Sequence, residues 1–300
     1  MKLLDELRQA IRVRHYSRTT EQTYVGWIKR YLRFHAADGR WRHPREMGAP
    51  EVEAFLTHLA VARRVAASTQ NQALNAIIFL YRRVLDIELG DISAVRARRP
   101  RRLPVVLSRD EVTTLLDGLC GTRRLMAQLM YGSGLRVSEV CGLRVKDVDL
   151  QRQQIMVRQA KGNKDRVVML PQAVVPALQT QLNRRATLHR QDLCLGYGRV
   201  VLPAAFARKD TGAAMRLNWQ FVFPAVRVGV YAQTGEIVRH HLHPTAIQRA
   251  VSLAAAASGI GKRITCHTLG HSKLETTMIY THVMTGVRSP LDTLAALTGA

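Results

Sequence analysis

The chain has 300 residues, which suits about two domains and a sizeable core. Its 47% hydrophobic and 22% charged residues exclude wholesale disorder, and no apolar run is long enough to cross a bilayer. The net charge of +23 favours a polyanionic partner, with nucleic acid ahead of membrane.

The N-terminus, Met1-Lys2-Leu3-Leu4-Asp5-Glu6, carries acids where a signal peptide needs its apolar stretch, so a cytoplasmic protein is expected. Leu3, Leu4, Leu7 and Ile11 recur at helix spacing. A cap region at Ser17, Thr19 and Thr20 with Glu21 precedes a second helix bearing Tyr24, Trp27, Ile28, Tyr31 and Leu32. A third helix is predicted from about Pro50 to Ala62, with proline in its permitted first turn. A fourth follows Ser68 and turns Leu74, Ile77, Ile78, Tyr81 and Leu85 inward. Residues 1–95 therefore read as a helical bundle whose aromatics belong to the core rather than to base-stacking platforms.

The charge is uneven: residues 1–95 carry a basic surplus of 5 and residues 96–300 one of 18. Arg96, Arg98, Arg99, Arg101 and Arg102 crowd into seven positions, with Pro100 and Pro104 among and after them. Residues 96–107 read as an extended basic linker suited to lie along phosphates.

A second domain, 108–300, opens on a Ser108/Glu111 capping box. Helices are predicted at 109–119 and 122–131. A tight turn, Gly132-Ser133-Gly134-Leu135-Arg136, then feeds a helix from Val137. Strands at Ile155–Arg158 and Arg166–Leu170 flank a turn containing Lys161-Gly162-Asn163-Lys164. A long helix is predicted from Pro171 to His189, irregular chain over 196–242, a helix from Pro244 to Ala257, and a short helical end over Thr276–Val283. The fold class expected is mainly α with a small β-sheet.

Common cofactor motifs are absent. The glycines around Gly132 and Gly261-Lys262 complete neither a dinucleotide fingerprint nor a phosphate loop, and there is no H-E-x-x-H. Four cysteines form no C-x-x-C and read as reduced thiols. The histidine groups at 240–243 and 266–271 lack a four-ligand set, so no metal and no cofactor is expected. What remains suits phosphate. Arg136 sits where a guanidinium can be fixed as a fork. Lys161 sits at a hairpin tip, where an ammonium can reach and donate a proton. His267 and His271 can donate hydrogen bonds, and Tyr280 is a nucleophile if cations ease its ionisation. Singly, each fits an ordinary structural role; their order and contexts together point to phosphate chemistry.

Tyr131-Gly132-Ser133-Gly134-Leu135-Arg136-Val137-Ser138-Glu139 resembles the first arginine box of the tyrosine recombinases, the phage-integrase family. Ala160 to Arg166 resembles the family's β-hairpin lysine. Leu269-Gly270-His271-Ser272 with Thr276 to Val283 resembles its final box. The extra segment near 206–243 and the tail Gly286–Asp292 are similar to those of integron integrases. The resemblance implies a core-binding N-terminal domain and a mixed α/β catalytic domain clamping DNA. It implies that Tyr280 attacks a phosphodiester, that Arg136, His267 and His271 stabilise its oxygens, and that Lys161 protonates the leaving 5′-oxygen. It implies DNA as partner, folded single-stranded sites included, and a tetramer on DNA. In that group the extra segment reads unpaired bases, a role Trp219, Phe221, His240 and His241 could fill by stacking or hydrogen bonding.

One departure matters. The family's second box reads His-Thr-Leu-Arg-His, whereas His267-Thr268-Leu269-Gly270-His271 has Gly270 at the arginine and runs directly into the final box. A stretch from the second arginine to just before Gly270 is therefore missing, with Arg263 and Arg239 as the nearest substitutes to consider. The runner-up function is a DNA-binding relic that recognises sites without efficient cleavage. A basic structural nucleic-acid binder would not need the Arg136, Lys161 and Tyr280 contexts.

Overall fold

A computed structural model describes residues 2–36, 40–90, 107–160, 164–260 and 291. The chain forms two compact units, Met1–Arg102 and Leu103–Ala300.

The first unit contains α1 (Lys2–Val13), α2 (Arg18–Phe34), α3 (Ala49–Val61) and α4 (Ala67–Leu80), the last continued by a π-turn over Tyr81–Leu85. Ser17 caps α2 by accepting from the Thr20 amide at 3.1 Å. Glu21 does not complete a capping box; it turns back to α1 and takes both Arg12 nitrogens at 2.8 and 2.9 Å. Leu4, Leu7 and Ile11 from α1 meet Ile28, Tyr31, Phe55, Leu56, Leu74, Ile77 and Leu80 in one core. Trp27 is buried there as well, covered by the Arg30 guanidinium at 4.7 Å, so it is a core residue as expected.

Two buried tyrosines fasten the α2–α3 connection to the bundle. The Tyr81 hydroxyl lies 3.0 Å from the Pro44 carbonyl, 3.2 Å from that of Met47 and 3.1 Å from the Tyr31 hydroxyl. Since a carbonyl can only accept, Tyr81 donates to the connection and Tyr31 donates to Tyr81. Burial raises the Tyr31 pKa far above the ordinary phenol range. Tyr81→Phe is expected to cost this unit about 1–3 kcal/mol, because buried acceptors lose their donor. Urea denaturation would show it, and an unchanged midpoint would deny the fastening role.

In the second unit Ser108 and Glu111 form the expected capping box, at 2.8 and 3.2 Å, and start α5 (Arg109–Asp117). Then come α6 (Gly121–Ser133) and α7 (Val137–Cys141). The antiparallel sheet has three strands in the order β1 (Val148–Asp149), β2 (Gln154–Ala160), β3 (Lys164–Met169). Spacing alone anticipated β2 and β3; β1 is two residues long and carries no alternation to read. The register sets Val157 opposite Arg166.

The long helix, α8, is Val175–Cys194, later at both ends than expected. Pro176 occupies its first turn, the place proline tolerates, while the chain just after Pro171 makes a separate 3-10 turn at Gln172–Val174. Residues 196–242 are not wholly irregular: they hold α9 (Ala204–Lys209), two 3-10 turns and a small hairpin of β4 (Gly229–Val230) and β5 (Ile237–Val238). The last described helix, α10, is Pro244–Ala257, as predicted. Its Ile247, Val251 and Ala254 join Leu129, Val140, Ile155, Leu178 and Phe223 in the core.

Candidate functional site

Arg136 stands between two helices because Gly134 lets the chain turn. Gly134 closes α6 at φ +65°, a left-handed conformation that glycine adopts without a Cβ clash. Leu135 is then buried as an anchor, and Arg136 enters α7 in extended geometry. Its side chain is 32% exposed, so the guanidinium keeps access to solvent.

Glu139, one turn on, fixes it. One carboxylate oxygen accepts from the Arg136 amide at 2.8 Å and the other from Arg136 Nη1 at 2.8 Å. Arg166, from β3, reaches the same carboxylate with both terminal nitrogens at 2.9 and 2.7 Å. One buried carboxylate thus holds two guanidiniums and ties the arginine turn to β3. Arg136 is therefore held by Glu139, and Glu139 in turn by Arg166, two residues to which the sequence assigned no role. The readable signal was the glutamate three residues after the arginine, the spacing that returns a side chain to the helix start.

Burial alone would raise the Glu139 pKa, but hydrogen bonds from Arg166 and then Arg136 outweigh it and leave the group below the usual carboxylate range. A depressed carboxyl pKa contributes stability that is fully present above the unfolded value, about 4.3, and is lost as pH falls through the folded value. Glu139→Ala is expected to cost on the order of 2–3 kcal/mol at pH 7, since two guanidiniums lose their counter-charge while remaining about one-third exposed. That cost should shrink below about pH 4. Denaturation of both proteins at pH 7 and pH 3 checks this; an equal cost at both pH values would contradict it.

The second cluster surrounds Trp219. Its ring packs on Phe206 at 4.3 Å, with Lys146 Nζ 4.2 Å and the Arg144 guanidinium 5.4 Å from its centroid. Arg144 donates to the carbonyls of Trp219 and Val201 at 2.6 and 2.8 Å and also lies over Phe221 at 4.4 Å. Burial lowers the Arg144 pKa to about 10, partly offset by Asp147. His241 meets Phe221 edge-on at 5.1 Å and donates Nδ1–H to the Leu242 carbonyl at 2.8 Å. Trp219 and His241 thus share one stack through Arg144 and Phe221, whereas His240 lies beside Tyr231 at 6.1 Å. Phe221 itself is buried in this packing, which corrects its candidacy as a base-stacking surface. Arg239 is buried too, with its guanidinium paired to Asp192 at 2.5 and 2.7 Å, and so is committed inside the fold.

Lys161, His267, His271, Tyr280, Gly270, Arg263 and the linker arginines Arg96, Arg98, Arg99, Arg101 and Arg102 lie outside the described residues. Among the described residues, no group of three or more His, Cys, Asp or Glu side chains is arranged to hold a metal ion. No described helix is long and apolar enough to cross a membrane.

The sequence profile described as "Phage integrase, N-terminal SAM-like domain" matches residues 3–91, and that of the "Phage integrase family" matches residues 105–286. An "Integrase/recombinase" of Escherichia coli is 43% identical over 325 aligned residues, covering 99% of this chain and 95% of that protein. "Tyrosine recombinase XerA" of Thermococcus kodakarensis is 31% identical, covering 94% of this chain and 91% of the relative. Among solved structures, a lambda integrase(75-356) dimer bound to a COC' core site superposes with a TM-score of 0.54 at 15% identity, covering 86% of this chain and 78% of the other. A lambda integrase tetramer bound to a Holliday junction gives 0.52 at 15% identity, covering 86% and 63%. These two share the mainly helical fold with a small antiparallel sheet.

Proposed function

The chain belongs to the phage integrase family of tyrosine recombinases, and from that membership we propose a site-specific DNA recombinase of the integron-integrase type that moves gene cassettes. The observation that carries this reading is the clamped, solvent-accessible guanidinium of Arg136, joined through Glu139 to Arg166 of β3. A fixed guanidinium is what a phosphodiester exchange requires at its non-bridging oxygens, and in this reading Lys161 serves the leaving group.

In this reading Tyr280 Oη attacks the phosphorus, forming a 3′-phosphotyrosyl bond as the bond to the 5′-oxygen breaks. Arg136, His267 and His271 stabilise the oxygens, and Lys161 gives its proton to the departing 5′-oxygen. A 5′-hydroxyl of a partner strand then reverses the exchange and restores Tyr280. The bond energy stays in the phosphotyrosyl link, so the cycle uses no cofactor. The linker arginines lie on phosphates between a core-binding domain, 1–95, and a catalytic domain, 108–300. The segment near 206–243 reads unpaired bases of folded single-stranded sites through Trp219, His240 and His241. By analogy with the lambda integrase assemblies, four copies gather on DNA in the cytoplasm.

A second reading rests on Gly270. The 43%-identical relative aligns over 325 positions against a chain of 300, which supports a stretch missing from this chain. With Arg239 committed to Asp192, the described residues offer no replacement from that position. The chain as it stands then binds recombination sites and cleaves them poorly. Incubation with nicked recombination-site DNA, resolved on a denaturing gel, tests both readings. A faint covalent band that Tyr280→Phe abolishes is expected beside strong non-covalent binding. Absence of DNA binding would overturn both.

A further inference from the structure

Gln181, Arg185, His189 and Asp192 fall at spacings of four, four and three along α8, which places them on one face of the helix. That face points inward. Arg185 is 1% exposed and Asp192 2%, and Gln181 and His189 are buried with them. A buried helix face is normally apolar, so a polar stripe there needs partners for every group.

Most partners lie in the segment after α8; the Thr122 hydroxyl also donates to Gln181 Oε1 at 3.4 Å, Arg185 pairs with Asp192 at 3.6 Å within the helix, and Arg185 Nε and His189 Nδ1 make no hydrogen bond. Gln181 donates to the Val222 carbonyl at 2.8 Å. Arg185 donates to the Gln220 side-chain oxygen at 2.7 Å. Gln220, wholly buried, passes its own amide hydrogens to the carbonyls of Gly198 and Ala214 at 2.9 and 3.0 Å. His189 Nε2 donates to the Met215 carbonyl at 2.8 Å. Asp192 takes the Arg239 fork, and Arg239 Nη1 donates to the carbonyls of Ala225 and Val226, both at 2.9 Å. A segment with few ladder hydrogen bonds has its carbonyls satisfied by side chains instead. Gly198 adds a backbone constraint: it holds φ +96°, a conformation that residues with a Cβ rarely adopt.

The anchor points flank the base-reading candidates. Gln220 follows Trp219 directly, with Val222 close behind, and Arg239 precedes His240 and His241. We infer that the buried polar stripe of α8, Gln181–Arg185–His189–Asp192, acts through Gln220 and Arg239 as a positioning scaffold that sets Trp219, His240 and His241 for recognition of unpaired bases. The inference rests on the base-reading assignment of this segment. Apolar side chains would hold a loop at lower desolvation cost, but without fixing its register. Directional hydrogen bonds fix both.

The test is the binding of the full chain to two labelled probes, a hairpin with two extrahelical bases and the fully paired duplex of the same stem. The ratio of the two affinities is the readout, because partial unfolding lowers both equally and leaves their ratio unchanged. Arg239→Lys keeps the charge and loses the fork; Gln220→Met keeps the volume and loses the clasp. Each is expected to cut the preference for the bulged hairpin at least tenfold and to leave duplex affinity within about twofold. If either fails to fold, the combined Arg185→Met/Asp192→Leu/Arg239→Met replacement removes all three buried charges together and reads the same ratio. Tyr81→Phe, a destabilising change in the other unit, should leave the ratio alone. A preference retained within twofold in folded stripe variants, yet lost in His240→Ala/His241→Ala, would overturn the scaffold and spare the base reading. A wild-type chain with no preference would overturn both.

Discussion

Restoring the family's stretch between Leu269 and Gly270, with its second-box arginine, is expected to raise covalent trapping and strand exchange by at least two to three orders of magnitude. In the proposed mechanism the non-bridging oxygens gather negative charge as Tyr280 attacks, a charge that two arginine forks would meet. In the proposed reading only one of them remains, Arg136, whose Nη1 is already engaged by Glu139. Removing a single preorganised donor costs about 10²–10³ in rate, and a charged bidentate donor belongs at the upper end. Arg239 cannot move in, since its fork closes on a carboxylate that is 2% exposed.

Gly270→Arg alone should recover little of that. It returns a guanidinium without the helix that would aim it, and a misplaced fork loses most of its value. Single-turnover cleavage of nicked site DNA by the three proteins separates the cases. Fast cleavage by the unaltered chain, at the level of the restored one, would show that another arginine serves the phosphate.

What the sequence disclosed, and what it hid, follows from the kind of signal each feature leaves. Helix α10 and the Ser108–Glu111 cap were legible because apolar spacing and cap chemistry are local. So was the core role of Trp27 and Tyr31, which share the inner face of α2. The stripe on α8 was hidden for the opposite reason. Gln181, Arg185, His189 and Asp192 look like a solvated face, and only the folded segment opposite shows that they are enclosed. Phe221 was open to the same error: a phenyl ring in a polar stretch can stack on a base or lie under an arginine, and contact with Arg144 decides it. Glu139 is intermediate. Its return to the Arg136 amide is a local, readable event, but its second partner, Arg166, comes from 27 residues away.

Affinity for site DNA is expected to fall roughly a thousandfold between 50 and 200 mM salt. The +23 charge concentrates in residues 96–300, and five arginines fall within 96–102. Each phosphate neutralised releases condensed counterions and adds about 0.9 to the log–log slope. Some arginines are spent internally: Arg185 and Arg239 on Asp192, and Arg166 on Glu139. These will not contribute. If about six cations remain to meet phosphates, the slope is near −5, and a fourfold rise in salt then costs about three decades. Replacing Arg98, Arg99, Arg101 and Arg102 with Gln should flatten the slope by roughly 3–4, without regard to DNA sequence, if the linker lies on the backbone. A slope unchanged by those replacements would move the phosphate contacts elsewhere on the surface. A flat salt response of the intact chain would remove electrostatic DNA binding from the account altogether.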